Sequence, residues 1–150
     1  MRIAIGNDHG GVELKRHLVA YLTEKGYEMI DLGAQTDASC HYPVFGQRVG
    51  RAVVAGEADY GILICGTGIG ISIAANKVDG VRCALCSEPV SARLAREHNN
   101  ANIVAMGART IGPVMAEGNV DVFLNTEFQG GRHAIRVGMF ERIEKGETLE

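Results

Sequence analysis

The chain has no long apolar run, no excess charge of one sign and no metal-ligand spacing, and each absence removes a class of function. No stretch approaches the roughly 20 apolar residues of a membrane span, so no membrane partner is expected. A net charge of −3 over 150 residues leaves no basic footprint for nucleic acid. The opening residues 1–6 enter a strand-like run without the longer apolar core and cleavage site of a signal peptide, so a cytoplasmic location is expected. The five histidines are scattered, and no second C-x-x-C or H-x-x-x-H accompanies Cys83 and Cys86, so no metal site is expected. With no other sign of secretion, Cys40, Cys65, Cys83 and Cys86 read as thiols. Cys83 and Cys86 lie in the apolar run 81–86, which reads as a buried strand rather than a redox pair. There is no linker, repeat or low-complexity tract, and one domain over residues 1–150 is expected.

What the chain does have is glycine, 20 residues, falling mostly at junctions between periodic segments where turns are tight. Residues 3–6, 27–32, 60–65, 81–86 and 103–106 read as strands. Residues 13–25, 43–55, 71–77, 90–97, 111–124 and 134–145 read as helices. Leu14, Leu18 and Leu22 recur at spacing four on the first helix, leaving His17 toward solvent. Residues 34–42 are polar and irregular and read as a loop. Strand–helix alternation with continuously apolar strands predicts an α/β fold: a Rossmann-like three-layer sandwich, a five-stranded parallel sheet and an extra C-terminal helix. That last helix follows no further strand and is available to a neighbouring subunit.

Ligands bind such sheets at the carboxyl ends of the strands. The expected strand ends carry Asp8-His9-Gly10-Gly11, Cys65-Gly66-Thr67-Gly68-Ile69-Gly70, Ser87-Glu88 and Gly107-Ala108-Arg109, and the loop before the fifth strand carries His98-Asn99-Asn100. The glycine turn offers several backbone N–H groups to one oxygen-rich anion. It departs from a dinucleotide fingerprint, which needs glycine at Ile71, and from a Walker loop, which needs Gly-Lys-Ser or Gly-Lys-Thr. Its N–H groups suit negative charge developing on a substrate oxygen, with Cys65 beside them as base or nucleophile; the plainer reading of Cys65 is one more small buried residue. Asp8-His9 can bind hydroxyls or shuttle a proton, or simply start a helix. Arg132 and Arg136, four apart after Gly130-Gly131 with His133 between them, form a clamp for a phosphate or a solvated basic patch. His98 is a general acid or base, or a helix end.

Taken together these segments, with Ala74-Ala75-Asn76-Lys77 and Ser87-Glu88-Pro89, resemble the type B ribose-5-phosphate isomerase family, which includes galactose-6-phosphate and allose-6-phosphate isomerases; the match runs along nearly the whole chain. The resemblance implies a homodimer or tetramer with active sites built from both subunits. It implies a small-molecule sugar phosphate as substrate, interconverting ribose 5-phosphate and ribulose 5-phosphate, with no metal or other cofactor. It makes Cys65 the base that moves a proton between C1 and C2 through a cis-enediolate, with Thr67 assisting at the adjacent hydroxyl. Gly66, Thr67, Gly68, Ile69 and Gly70 would hold the enediolate oxygen. His98 with Asp8 would open the furanose ring, and Asn99 would contact the sugar. His9, Arg109, Arg132 and Arg136 would hold the phosphate, and Tyr42 would line the pocket. A family branch with a glutamate just after the turn is excluded by Ile71. His41 stands where the family commonly has an acidic residue before Tyr-Pro, which bears on sugar preference. The competing readings are a six-carbon aldose phosphate isomerase, a non-catalytic module binding a sugar phosphate or nucleotide, and a thiol redox protein using Cys83 and Cys86.

Overall fold

Strand β1 (Arg2–Asn7) alternates Ile3, Ala4 and Ile5 to opposite faces of a sheet, and all three are buried. The computed structural model describes residues 1–150. The other strands are β2 (Glu28–Asp31), β3 (Tyr60–Cys65), β4 (Cys83–Leu85) and β5 (Ile103–Gly107), paired in parallel in the order β2-β1-β3-β5-β4. Register is tight in the middle: Ile62 faces Ile5 on one side and Val104 on the other, and Cys65 faces Gly107. The edge strand β2 carries Glu28 and Asp31.

Helices α1 (Val12–Glu24), α4 (Pro89–Asn99) and α5 (Pro113–Leu124) cover one face, where Leu14, Leu18, Leu22, Ala92, Val120 and Phe123 pack on Ile3, Ile5, Ile62, Ile64 and Val104. Helices α2 (Tyr42–Val54) and α3 (Ile69–Ala75) cover the other, where Phe45, Val49, Ala52 and Ile71 pack on Ala4, Leu63, Cys65 and Ala105. The expected three-layer α/β sandwich is therefore present. Helix α6 (Arg132–Glu144) lies outside these layers against α4, and shows Ile135, Met139, Phe140 and Ile143 to solvent.

Two expectations need correction. The run 81–86 is not a buried strand: only Cys83–Leu85 is extended, it lies at the sheet edge, and Leu85 is exposed. Its free edge is met by the side chain of Asn76, whose amide nitrogen donates to the Cys83 carbonyl (2.9 Å) and whose oxygen accepts the Cys83 N–H (2.8 Å). Second, His98 and Asn99 are in the last turn of α4, not in a loop; the helix stops at Asn100, a left-handed residue at φ 46°.

Candidate active site

Helices α1 and α3, which follow the neighbouring strands β1 and β3, leave on opposite faces of the sheet, so their first turns part at the carboxyl edge. The residues there are those the strand-end rule selects. Asp8 caps a short 3-10 turn (His9–Gly11), its Oδ1 accepting the Gly10 N–H at 2.8 Å. Gly10 lies against the next turn: a Cβ on it would sit 3.2 Å from the Gly66 nitrogen. The backbone of 108–109 seals the other side, Ala108 N–H donating to Cys65 C=O and Arg109 N–H to Gly66 C=O, both at 2.9 Å.

The glycine turn is shaped by space as well as by N–H supply. Gly68 begins α3 at φ 78°, and a Cβ there would meet the Met106 carbonyl carbon at 2.7 Å. The Arg109 guanidinium lies over Gly66 and the Tyr42 ring over Gly70, each filling the place of a missing side chain. Cys65 is 5% exposed and packs among the apolar residues of the α2–α3 face. Its Sγ nevertheless accepts the Gly68 N–H at 3.1 Å, and Thr67, exposed beside it, accepts the Ile69 N–H on Oγ1.

His9 is oriented by a residue with no assigned role. The Cys40 N–H donates to His9 Nδ1 at 3.3 Å, so the neutral ring carries its proton on Nε2. Lys15, only 2% exposed, holds the start of the same loop by donating to Asp31 Oδ2 and Ala34 C=O. Burial pushes the Asp31 carboxyl up, but Lys15, Gln35 and the Gly33 N–H outweigh it and hold the carboxyl below its usual range. A cleft of about 590 Å³ opens beside His9, between Glu13, Arg16, Thr36, Asp37 and Ile111.

The other expected residues are elsewhere in the chain. Helix α4 runs back antiparallel to the strands, so His98 and Asn99 reach the amino edge, where Ala101 and Asn102 lead into β5 beside Gly61. Gly61 and Cys65 are four strand residues apart, about 13 Å. Arg132 and Arg136 start α6 at this edge, both exposed. Between them is His133, buried, its ring stacked on His98 with centroids 4.3 Å apart and planes 5° from parallel. Partial burial, then the charges of His98, Arg132 and Arg136, hold His133 below the usual histidine range against the opposing pull of Glu97. Cys65 and the two arginines thus do not share a cleft within one chain. A second cleft, about 380 Å³ between β4 and α6, is lined by Asn99 and Cys83 and by neither arginine nor Cys65.

Cys83 and Cys86 are free thiols. Burial first, then the neighbouring Cys86, pushes the Cys83 thiol far up; burial first, then Glu88, pushes Cys86 up to about 11. Both are poor thiolates, against a redox role. No helix is long and apolar enough to cross a membrane.

A sequence profile of the family described as Ribose/Galactose Isomerase matches residues 3–140. The ribose-5-phosphate isomerase B of Escherichia coli is 49% identical over 144 residues, spanning 96% of this chain and 97% of that protein. The D-erythrulose-4-phosphate isomerase of Pectobacterium atrosepticum is 41% identical, spanning 97% and 98%. The solved structure of ribose-5-phosphate isomerase B from Clostridium thermocellum superposes with a TM-score of 0.97 at 54% identity, covering 99% of this chain and 100% of that one.

Proposed function

Since the chain belongs to the Ribose/Galactose Isomerase family, we propose that it is an aldose–ketose isomerase of sugar phosphates, that its substrate pair is ribose 5-phosphate and ribulose 5-phosphate, and that Cys65 is its base. The observation that carries this reading is the Cys65 sulfur, set at the end of β3 with the Gly68 N–H aimed at it from 3.1 Å. A fixed dipole there supports negative charge on sulfur, and it need not reorganise during the reaction.

The chemistry follows from the substrate. An aldopentose phosphate is mostly a closed furanose, and C2 is acidic only after the ring opens to an aldehyde. The thiolate then takes the C2 proton, an S–H bond forms, and the C2–H electron pair flows into the carbonyl to give a cis-enediolate. A proton shifts from O2 to O1 with Thr67 adjacent. The sulfur returns its proton to C1, leaving the ketone at C2. With the Gly68 N–H on sulfur and the Ile69 N–H on Thr67, the amides of Gly66, Thr67 and Gly70 and the Arg109 guanidinium over Gly66 remain to face the charge on oxygen.

Ring opening and phosphate binding fall to His98, Asn99, Arg132 and Arg136 with Asp8 and His9. Within one chain the first four are at the other end of the sheet, so this reading requires a second copy: His98 of the partner subunit over Asp8, and the partner subunit's Arg132 and Arg136 beside His9. Exposed Ile69, Ile73 and Leu85 flank the glycine turn, and Leu85 reaches Gly68. That apolar rim suits coverage by a partner.

Complementation tests the reading. Cys65→Ala and His98→Gln are each expected to be inactive or nearly so as homo-oligomers. Unfolded together and refolded as an equal mixture, dimers recover about a quarter of the wild-type sites, because half are mixed and each mixed dimer holds one intact site. No recovery in a mixture shown to contain hybrids rejects the shared site. A panel of four-, five- and six-carbon aldose phosphates fixes the substrate.

A further inference from the structure

Arg96 is 5% exposed on α4, and no carboxylate bonds to it. A buried cation without a counter-ion is costly to keep. Its donors are spent instead on neutral oxygens. Nη1 reaches Asn100 Oδ1 at 2.8 Å and Ala101 C=O at 2.6 Å; Nη2 reaches the Tyr60 hydroxyl at 2.9 Å; Nε reaches Thr126 C=O at 3.3 Å. The guanidinium carbon lies 4.7 Å from the Tyr60 ring centre and 5.7 Å from that of Phe123. A second guanidinium takes Asn100 from the other side: Arg82 Nε donates to the Asn100 carbonyl at 2.8 Å. Asn100 is the chain's only non-glycine residue at positive φ. One strained residue therefore has its side chain held by one arginine and its carbonyl by another.

Strain held this firmly is expected where the adjoining atoms must stay in place. The adjoining atoms here are His98 and Asn99, the last turn before Asn100. We propose that Arg96, assisted by Arg82, is a positioning residue for ring opening: by clamping Asn100 it fixes the His98–Asn99 tip that α4 offers to the partner's sugar. This deepens the proposed function and rests on the role given there to His98. It distinguishes the steps chemically. Ring opening needs the tip. Proton transfer does not, because the sulfur, the Gly68 N–H aimed at it and the Arg109 guanidinium over Gly66 all come from the subunit that carries the glycine turn, and none from the tip.

The two steps are read by different assays. Ribulose 5-phosphate cannot close a furanose, since O5 carries the phosphate, so exchange of its C1 proton with D2O reports Cys65 chemistry alone. Interconversion with ribose 5-phosphate includes the ring. Arg96→Met keeps apolar length over Tyr60 and Phe123 while removing every donor. It is expected to lower isomerisation in both directions on the order of a hundredfold, the scale of a misplacement near 1 Å, with exchange within about twofold of wild type, the change expected when the proton-transfer machinery is untouched. Asn100→Gly adopts the left-handed turn without strain and loses only the side-chain acceptor; it folds and shows the same split, smaller. Equal losses in both assays, or no loss in either, in these variants overturn the proposal. His98→Gln is run alongside. If it shows no split, the role of His98 has failed; if it shows the split and the two variants do not, the clamp has failed.

Discussion

The carboxyl edge of the sheet and the α4–α6 edge solve different problems by different means. At the carboxyl edge the chemistry is presented by backbone: the Gly68 N–H on sulfur, the Gly10 N–H on Asp8 and the Cys40 N–H on His9. At the α4–α6 edge it is presented by side chains on helix exteriors, with Arg132 and Arg136 exposed. On the proposed function, moving a proton between carbons needs dipoles that do not relax, and backbone fixed in the turns beyond the strand ends supplies them. On the same proposal the second edge grips a phosphate, which needs only charge within reach, and long side chains supply that.

Breaking the first edge has the largest expected effect. Cys65→Ala should lower isomerisation by about a thousandfold, within the span of general-base contributions, while calorimetry shows ribose 5-phosphate binding nearly unchanged; wild-type turnover would remove the sulfur from the mechanism. At the second edge, Arg132→Ala and Arg136→Ala should each raise KM about tenfold or more, for a charged hydrogen bond worth ~1.5–3 kcal/mol, with kcat less affected. A four-carbon aldose phosphate sharpens the contrast. Its O4 is esterified, so no ring forms, and His98→Gln should slow it only a few-fold while slowing ribose 5-phosphate about a hundredfold, as loss of an acid–base group does. A smaller effect is structural: Gly68→Ala places a Cβ against Met106 at positive φ and should cost about 1–3 kcal/mol, read as a lower denaturation midpoint.

The smallest effect is the pH dependence of stability from His133. Its neutral form is favoured in the folded state, so the unfolded chain binds the proton more readily. Stability should therefore hold above the ordinary histidine value, near pH 6.5, and decline as pH falls below it. His133→Phe keeps the stack on His98 and should flatten that decline in denaturation midpoints taken from pH 7 to pH 5.

The carboxyl edge was legible in the sequence because strand ends announce themselves. The third strand was expected over 60–65 and is found at Tyr60–Cys65, followed at once by the glycine turn. The fourth is expected over 81–86 and is found only at Cys83–Leu85, because an apolar run marks a partly covered edge as readily as an interior strand. His98 is expected in the loop before the fifth strand and is found in the last turn of α4; both put it at the amino edge, to which a helix following a strand must run back. The helix end itself was hidden because Asn100, not glycine, takes the left-handed stop. Arg96 had a readable sign, four residues after Ala92 on the buried side of α4. The hold of Cys40 on His9 had none, since any residue except proline brings the same N–H.

The Asn76 amide on β4 has a consequence beyond its two bonds. The last strand of an open sheet is a template on which a stranger's backbone can pair. Here the donor and acceptor of Cys83 are already engaged by a side chain of the same molecule. At high concentration, or while part of the chain is still finding its fold, that border leaves only the Leu85 end to zip onto. Replacing Asn76 with alanine reopens it, and scattering from concentrated solutions would register the growth of ribbon-like aggregates.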